Sequence, residues 1–481
     1  MATGNKPLAP SDYSSVSLRE RFSHPTVNDV HSALNPTRVA RIVRPGSTEE
    51  VAAWVGKGER LSVAGGRHSM GGQAFASDAL MLDMRSLEGV VSLDQERGIA
   101  RVKAGTQWPE LAHGLASLQD NDPFRWTFRQ KQTGGDRLTL GGALASNIHS
   151  RGLAMRPIVD DVESLERVSP SGEIERISRT QNSEHWPLAI GSYGMFGVIT
   201  EVDLRLSRRH KIRRRVVERE SEGLDEAFVE RIAQGFEYGD FQFAIDSTSE
   251  DFLRKGIFAC YEPVPDETLE AKHHVRIPKF AWHHLVRLAH DEKAEAYRLY
   301  SDFYRKSDGQ IYWSDDHQMT LYLDGYHRHY DHKQGARVPG SEMITELYVP
   351  RARLESFLTG CRRELRRLKA SVIYGTVRII EPDEETFLPW ATQPWACIIF
   401  NLHVDHDAAG IERAQAQFRA LIDLAQDEGG TFYLTYHRWA TREQLLRSYP
   451  QLPEFLARKR EADPDGVLTS DWYRHLTAFF E

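Results

Sequence analysis

VAGGRHSMGGQAF, residues 63–75, is the most informative stretch of this sequence. Glycines at 65, 66, 71 and 72 let the backbone turn tightly and aim several N–H groups into one hollow, an arrangement that suits a pyrophosphate. No Gly-Lys-Ser/Thr follows, so the stretch is not a P-loop, and its spacing is not G-x-G-x-x-G either. Outward from it, ARIVRP (40–45) and RLSVAGG (60–66) read as strands. STEEVAAWVGKG (47–58) between them reads as a helix capped by Ser47 or Thr48, with Glu49 and Glu50 in its first turn. LMLDMR (80–85) and GIARVKAG (98–105) predict further strands and WPELAHGLASLQ (108–119) a helix. The alternation runs to EVDLRLS (201–207), which makes the fold class α+β.

Beyond Arg208 the texture changes. HKIRRRVVERES (210–221) is charged and strand-like, and helices are expected at DEKAEAYRLYSDFYRK (291–306) and VPRARLESFLTGCRRELRRLKA (349–370). The basic run of the second reads as a solvated face, because acidic residues flank it. The expected organisation is an N-terminal extension lying over the surface (1–35), a first domain (36–208), a substrate-facing cap domain of sheet and helices (209–440), and C-terminal helices packing back on the first domain (441–481). DGYHRHYDHKQG (324–335) carries His327, His329 and His332, yet the glycines and charges around them predict a mobile polar loop, and no metal is expected.

The totals narrow the function. A chain of 481 residues with 40% hydrophobic and 27% charged residues is long enough for two ordinary domains. A net charge of −8 argues against a dedicated nucleic-acid binder, whose surface would be basic. Cys260, Cys361 and Cys397 are too few and too scattered for a disulfide framework and fit a reducing compartment. The opening MATGNKPLAPSDYSS lacks a signal-peptide pattern, and no run approaches the length of a membrane span, so a cytoplasmic location is expected.

The stretch 63–75, followed by LDM (82–84), resembles the FAD-binding domain of the vanillyl-alcohol oxidase and PCMH-type flavoprotein superfamily. Three further segments extend the resemblance in order: GGDRLTLGGALASNIHSRG (134–152), IVDDVESLERVSPSGEIERIS (158–178) and GSYGMFGVITEVDLRL (191–206). It implies a two-subdomain FAD-binding domain. The expected FAD-binding residues are Ala64, Gly65, Gly66, Arg67, His68, Ser69, Gly72 and Gln73 in the first loop. Gly134, Thr139, Gly141, Gly142, Ser146, Asn147 and His149 follow in the second, with Val198 and Ile199 on the adenine side. GRHSMGGQ is similar to the loop of cytokinin dehydrogenases, which implies a flavin bonded through the ring of His68. Doubly linked members place a cysteine two residues before the second-loop Thr; here Arg137 precedes Thr139, so a single link is expected.

The C-terminal half resembles the decaprenylphosphoryl-ribose oxidases, through TELYVP (345–350), YGTVRIIEP (374–382), IIFNLHVDH (398–406) and 431–476. The resemblance implies that Glu346, Arg378, Asn401 and His403 point at the substrate and that Tyr433 lies beside the flavin. It departs in two places: Tyr436 stands for that group's lysine and His403 for its cysteine, and that group's flavin is not covalently held. Tyr436 or His403 is the expected base, and Arg378 the expected partner of a hydroxyl oxygen, a carboxylate or the reduced flavin.

These readings converge on an FAD-dependent oxidoreductase that oxidises a CH–OH group of a sugar, polyol or similar hydroxylated molecule by hydride transfer to flavin N5. Its electron acceptor would be dioxygen, a quinone or a protein. Amine oxidation or C=C reduction on the same scaffold is the alternative within redox chemistry, and a flavin-binding protein without turnover the alternative outside it. An acidic pocket at Glu346 would favour an amine, an accessible Arg378 an oxygen-rich ligand.

Overall fold

The computed structural model describes residues 24–480 except 121, 271–273, 321, 322 and 324, so the first 23 positions of the expected N-terminal extension lie outside the described residues. Helices and sheets are mixed throughout, as expected for α+β.

The first glycine loop leaves a three-stranded parallel sheet, in which Leu80–Asp83 lies between Arg41–Val43 and Leu61–Ala64. All four residues of Leu80–Asp83 are buried, as befits a parallel strand covered on both faces. Helix Thr48–Val55 is capped by Ser47, whose side chain accepts from the Glu50 N–H.

A second, antiparallel sheet orders Ile174–Ser178, Val162–Val168, Val198–Arg208, Ile99–Lys103 and Val90–Asp94, with Trp126–Phe128 pairing the far end of Val198–Arg208. Val198–Arg208 alternates buried and less buried positions along most of its length, and its inward face meets helices Trp108–Ser117 and Leu140–Ser146.

The third sheet has eight antiparallel strands, and its chemistry concentrates in three neighbours: Val372–Ile380, Trp395–Asp405 and Gly340–Pro350. Period-two alternation gives this sheet two distinct faces. Met343, Leu347, Phe400 and Leu402 pack in one core with Phe357, Leu358, Phe418 and Leu421 of helices Leu354–Arg367 and Ala408–Asp427. The opposite face carries Ile344, Ile399, Asn401, Tyr374 and Arg378. Helix Leu354–Arg367 starts later than the expected 349, because Pro350 ends the preceding strand and Arg351–Arg353 form a 3-10 turn.

After helices Arg442–Ser448 and Leu452–Ala462, the chain returns to the parallel sheet. Leu468 bridges Leu61, and the Asp471 carboxylate accepts from the Ser77 N–H at 2.9 Å. No helix among the described residues is long and apolar enough to cross a membrane.

Two expectations are corrected. Residues 24–35 do not simply lie over the surface: Asp29, Ser32 and Asn35 are buried, and the Asp29 carboxylate gathers the N–H groups of His31, Ser32 and Ala33. That turn presents His31 to the first glycine loop. The expected polar loop at 324–335 is instead helix Tyr326–Gln334, ended by Gly335 in the left-handed conformation that favours glycine at a helix C-terminus.

Candidate active site

Between the end of the parallel sheet, the second glycine loop with helix Leu140–Ser146, and the eight-stranded sheet lies a cavity of about 290 Å³. One wall is backbone-rich. Gly65 and Gly66 press against the second loop so closely that a Cβ on Gly65 would fall 2.1 Å from Thr139 Oγ1, and one on Gly66 2.2 Å from the Arg137 carbonyl oxygen. The next residue, Arg67, sits at φ 59°, an uncommon conformation for a side-chain-bearing residue. Thr139 caps the short helix Leu140–Ser146 by accepting from the Gly142 N–H, and so fixes how the second loop enters the wall.

The other wall is built of side chains. Arg378 is only 3% exposed, yet its Nε and Nη1 have no hydrogen-bond partner among the described residues. The same holds for Asn401 Oδ1 on the adjacent strand and for Gln132 Oε1 in the second loop. Buried polar atoms are rarely left unpaired, so the cavity is shaped for a polar occupant. Tyr433 ties the walls together, its hydroxyl donating to the Ser146 carbonyl at 2.6 Å and its N–H to the Glu346 carbonyl at 3.0 Å.

His68 stands in the backbone-rich wall with His31 beside it, the two rings joined Nδ1 to Nε2 at 2.8 Å. Burial, and then the neighbouring His31, push His68 down to about 3; burial alone takes His31 to about 4. Both rings are therefore neutral near pH 7. Sequence reading missed His31, and the only signal for it was the Asp-x-x-Ser spacing of Asp29 and Ser32 that builds its turn. Lys131 was also missed. It is fully buried, bonded to Asp136 at 2.6 Å and to the Gln132 and Gln318 carbonyls, and it holds the second loop in place.

Further along the same sheet face, away from the cavity lining, lies a buried chain of polar groups. Glu346 contacts His149, accepts from the Tyr348 hydroxyl at 2.7 Å and from Cys397 Sγ at 3.2 Å. Burial works against its charge, but His149 and these donors win and bring Glu346 down to about 2. Tyr436 is buried nearby on the cavity lining; burial first, then the charge of Glu346, holds its phenol well above its ordinary range. Tyr436 is therefore protonated near pH 7 and is placed to donate a hydrogen bond.

The expected residues divide cleanly. The cavity is lined by Gly65, Gly66, Arg67, His68, Ser69, Gln73, Gly134, Thr139, Gly142, Ser146, Tyr433, Tyr436, Arg378 and Asn401. Ala64, Gly72, Gly141, Asn147, His149, Val198, Ile199, Glu346 and His403 do not line it. Each has another task. The Asn147 side chain donates to Asp383 and accepts from the Val159 N–H. Gly141 lets its helix sit against Ala104. Val198 joins the core of the parallel sheet, and Ile199 packs beside the antiparallel one. Ala64 is buried at the end of its strand, and Gly72 packs beside Arg438. His403 faces Glu342 and Asp405, one row further out on the sheet.

The arrangement fits FAD. The tight glycine cradle, where even one added carbon would collide, admits a flat anionic cofactor along the backbone. The unpaired Gln132 Oε1 in the second loop supplies an acceptor at its polar edge.

Comparison with known proteins agrees. Residues 39–178 match the model of the FAD binding domain family. L-gulono-1,4-lactone dehydrogenase of Mycobacterium tuberculosis (strain ATCC 25618 / H37Rv) is 25% identical over 445 residues, covering 90% of this chain and 95% of its own. Cytokinin dehydrogenase 4 of Oryza sativa subsp. japonica is 33% identical over 193 residues, 36% of this chain and 34% of its own. An uncharacterized oxidoreductase, ORF5 in the fasciation locus of Rhodococcoides fascians, is 33% identical over 151 residues, 31% of this chain and 33% of its own. The chain thus spans about a third of the length of the last two and nearly all of the first. The matched domain and the geometry of the cradle give one conclusion: the chain carries an FAD binding domain over residues 39–178 and is an FAD-dependent oxidoreductase similar to these dehydrogenases.

Proposed function

We propose that this protein oxidises a CH–OH group of a sugar, polyol or similar hydroxylated small molecule. The observation that carries the reading is Arg378, buried at 3% exposure with two unpaired guanidinium nitrogens beside the unpaired Asn401 oxygen. The guanidinium donors suit an oxygen-rich ligand, and their charge repels an ammonium group. Glu346, the carboxylate that an amine would need, does not line the cavity and is covered and engaged by His149. A relative named for a lactone aligns over 90% of the chain, whereas the cytokinin dehydrogenase aligns over 36% of it.

FAD bound in the cradle supplies the two-electron acceptor. Arg378 and Asn401 hold the substrate oxygen, and the buried wall keeps water from the reacting carbon. Tyr436, its phenol kept protonated by burial and by the nearby Glu346 carboxylate, donates a hydrogen bond to the substrate oxygen, and the hydroxyl proton leaves to solvent as the hydride departs. His68, neutral and braced by His31, is the residue through which the flavin is covalently held. The location is proposed as cytoplasmic and the electron acceptor as dioxygen, a quinone or a protein.

Anaerobic mixing with a panel of polyols, lactones and amines tests the reading. Bleaching of the flavin bands by hydroxylated compounds and not by amines is expected; reduction by amines alone would overturn it.

A further inference from the structure

We propose that His290, Glu342 and His403 form a binding site for a borderline divalent cation of the Zn²⁺ type at the outer edge of the side-chain wall. Glu342 and His403 are direct cross-strand neighbours on strands Gly340–Pro350 and Trp395–Asp405. They share a sheet face with Ile344 and Asn401, which line the cavity, and stand two residues, about 7 Å, further along their strands. His290 reaches them from the end of helix Lys279–Asp291.

His290 Nε2 lies 2.9 Å from Glu342 Oε1, and His403 Nδ1 lies 4.0 Å from the same oxygen. One candidate ligand atom from each of the three residues falls within 4.8 Å of the others. A tetrahedral zinc with bonds of about 2.1 Å sets its ligands about 3.4 Å apart, between those two distances.

Two further observations point to a ligand. The His290 and Glu342 side chains are 5% and 9% exposed, yet His290 Nε2, Glu342 Oε1 and His403 Nδ1 have no hydrogen-bond partner among the described residues. A cation between them engages all three. The second nitrogen of His403, Nε2, faces Asp405 Oδ1 at 3.4 Å, the carboxylate–histidine pairing that orients metal-binding imidazoles. Beside the cluster, His327 Nε2 accepts from the Glu342 N–H at 3.2 Å and touches the other carboxylate oxygen. Three protein ligands leave a fourth position open for a water or an oxygen ligand. The ion ties helix Lys279–Asp291 to the sheet, next to the cavity mouth.

The test is titration of dialysed, flavin-containing protein with Zn²⁺ against a competing chelator. One equivalent per chain is expected, weakened roughly 100-fold or more in His290→Ala and in Glu342→Gln. It should be unchanged in His329→Ala, whose side chain is exposed. Should a variant lose its flavin spectrum through misfolding, X-ray absorption of the zinc-loaded wild type gives the answer: nitrogen and oxygen ligands only. Absence of stoichiometric zinc in flavin-containing wild type overturns the proposal, as does undiminished binding in both variants. A sulfur ligand also overturns it, by placing the ion at His149, Glu346 and Cys397.

Discussion

The two walls of the cavity recognise their ligands by opposite means. The flavin wall works through backbone: Gly65, Gly66, Gly134 and Gly142 bring the main chain to the ligand, and most side chains near them serve the loop itself. Gln73 shows this, lining the cavity while its amide accepts from the Gly71 N–H and donates to the Leu434 carbonyl. The substrate wall is a sheet face whose backbone is consumed in pairing, so only the outward side chains of Tyr374, Arg378, Ile399 and Asn401 are left to read a ligand. A backbone cradle constrains sequence tightly, because few residues fit it. A sheet face leaves each side chain free to change, and with it the substrate.

The comparison makes the two walls separable by mutation. Gly66→Val drives carbon into the Arg137 carbonyl and should abolish flavin binding altogether, read as purified protein without visible absorbance but with unchanged far-ultraviolet circular dichroism. Arg378→Ala should keep a full complement of flavin and slow its reduction by substrate roughly 100- to 1000-fold, the cost of one preorganised charged donor. Flavin loss in Arg378→Ala, or retention in Gly66→Val, breaks the division.

The same contrast explains what the sequence disclosed. The glycine spacing of 65–72 and 134–142 is a direct imprint of backbone geometry, and the strands around it are short and punctuated, so the two loops of the first wall were legible, though Gly72 and Gly141 within them serve packing. The three substrate strands were legible as strands, and period two puts Glu346, Arg378, Asn401 and His403 on one face. Which of the four reaches the cavity depends on what packs over each row. His149 covers Glu346, and the end of helix Lys279–Asp291 approaches His403. Neither long-range contact leaves a local trace in sequence. His31 was hidden for the same reason, 37 residues from the ring it touches.

Within the substrate wall, Tyr436→Phe should slow flavin reduction roughly 100-fold, with binding of substrate little changed. Because the Glu346 carboxylate helps hold the Tyr436 phenol protonated, the double variant Tyr436→Phe/Glu346→Gln should be no slower than the slower single variant, as expected for groups acting as one unit. Multiplicative losses in stopped-flow reduction would show that the two residues act separately.

The smallest effect sharpens the one side-chain feature of the flavin wall, the His31–His68 pair. Their folded pKa values, about 4 and about 3, lie below the usual 6.5, so as pH falls the unfolded chain takes up protons first. Stability from the neutral rings is therefore complete above about pH 6.5 and is lost progressively as the pH falls toward 4 and then 3. Full burial would make that loss about 2 kcal/mol per ring at pH 5; both rings are part-exposed at the cavity wall, so about 1 kcal/mol each is expected. Urea midpoints at pH 7 and pH 5 measure it, and His31→Phe should lessen the difference between them. His68→Gln should do the same and add a second signature. Acid-precipitated wild type should stay yellow through its covalent flavin, whereas His68→Gln should release its colour to the supernatant. Wild type that loses its flavin to acid, yet keeps the His31-dependent pH response, would make His68 a neutral hydrogen-bonding neighbour of the cofactor and leave the backbone as the whole of the flavin wall.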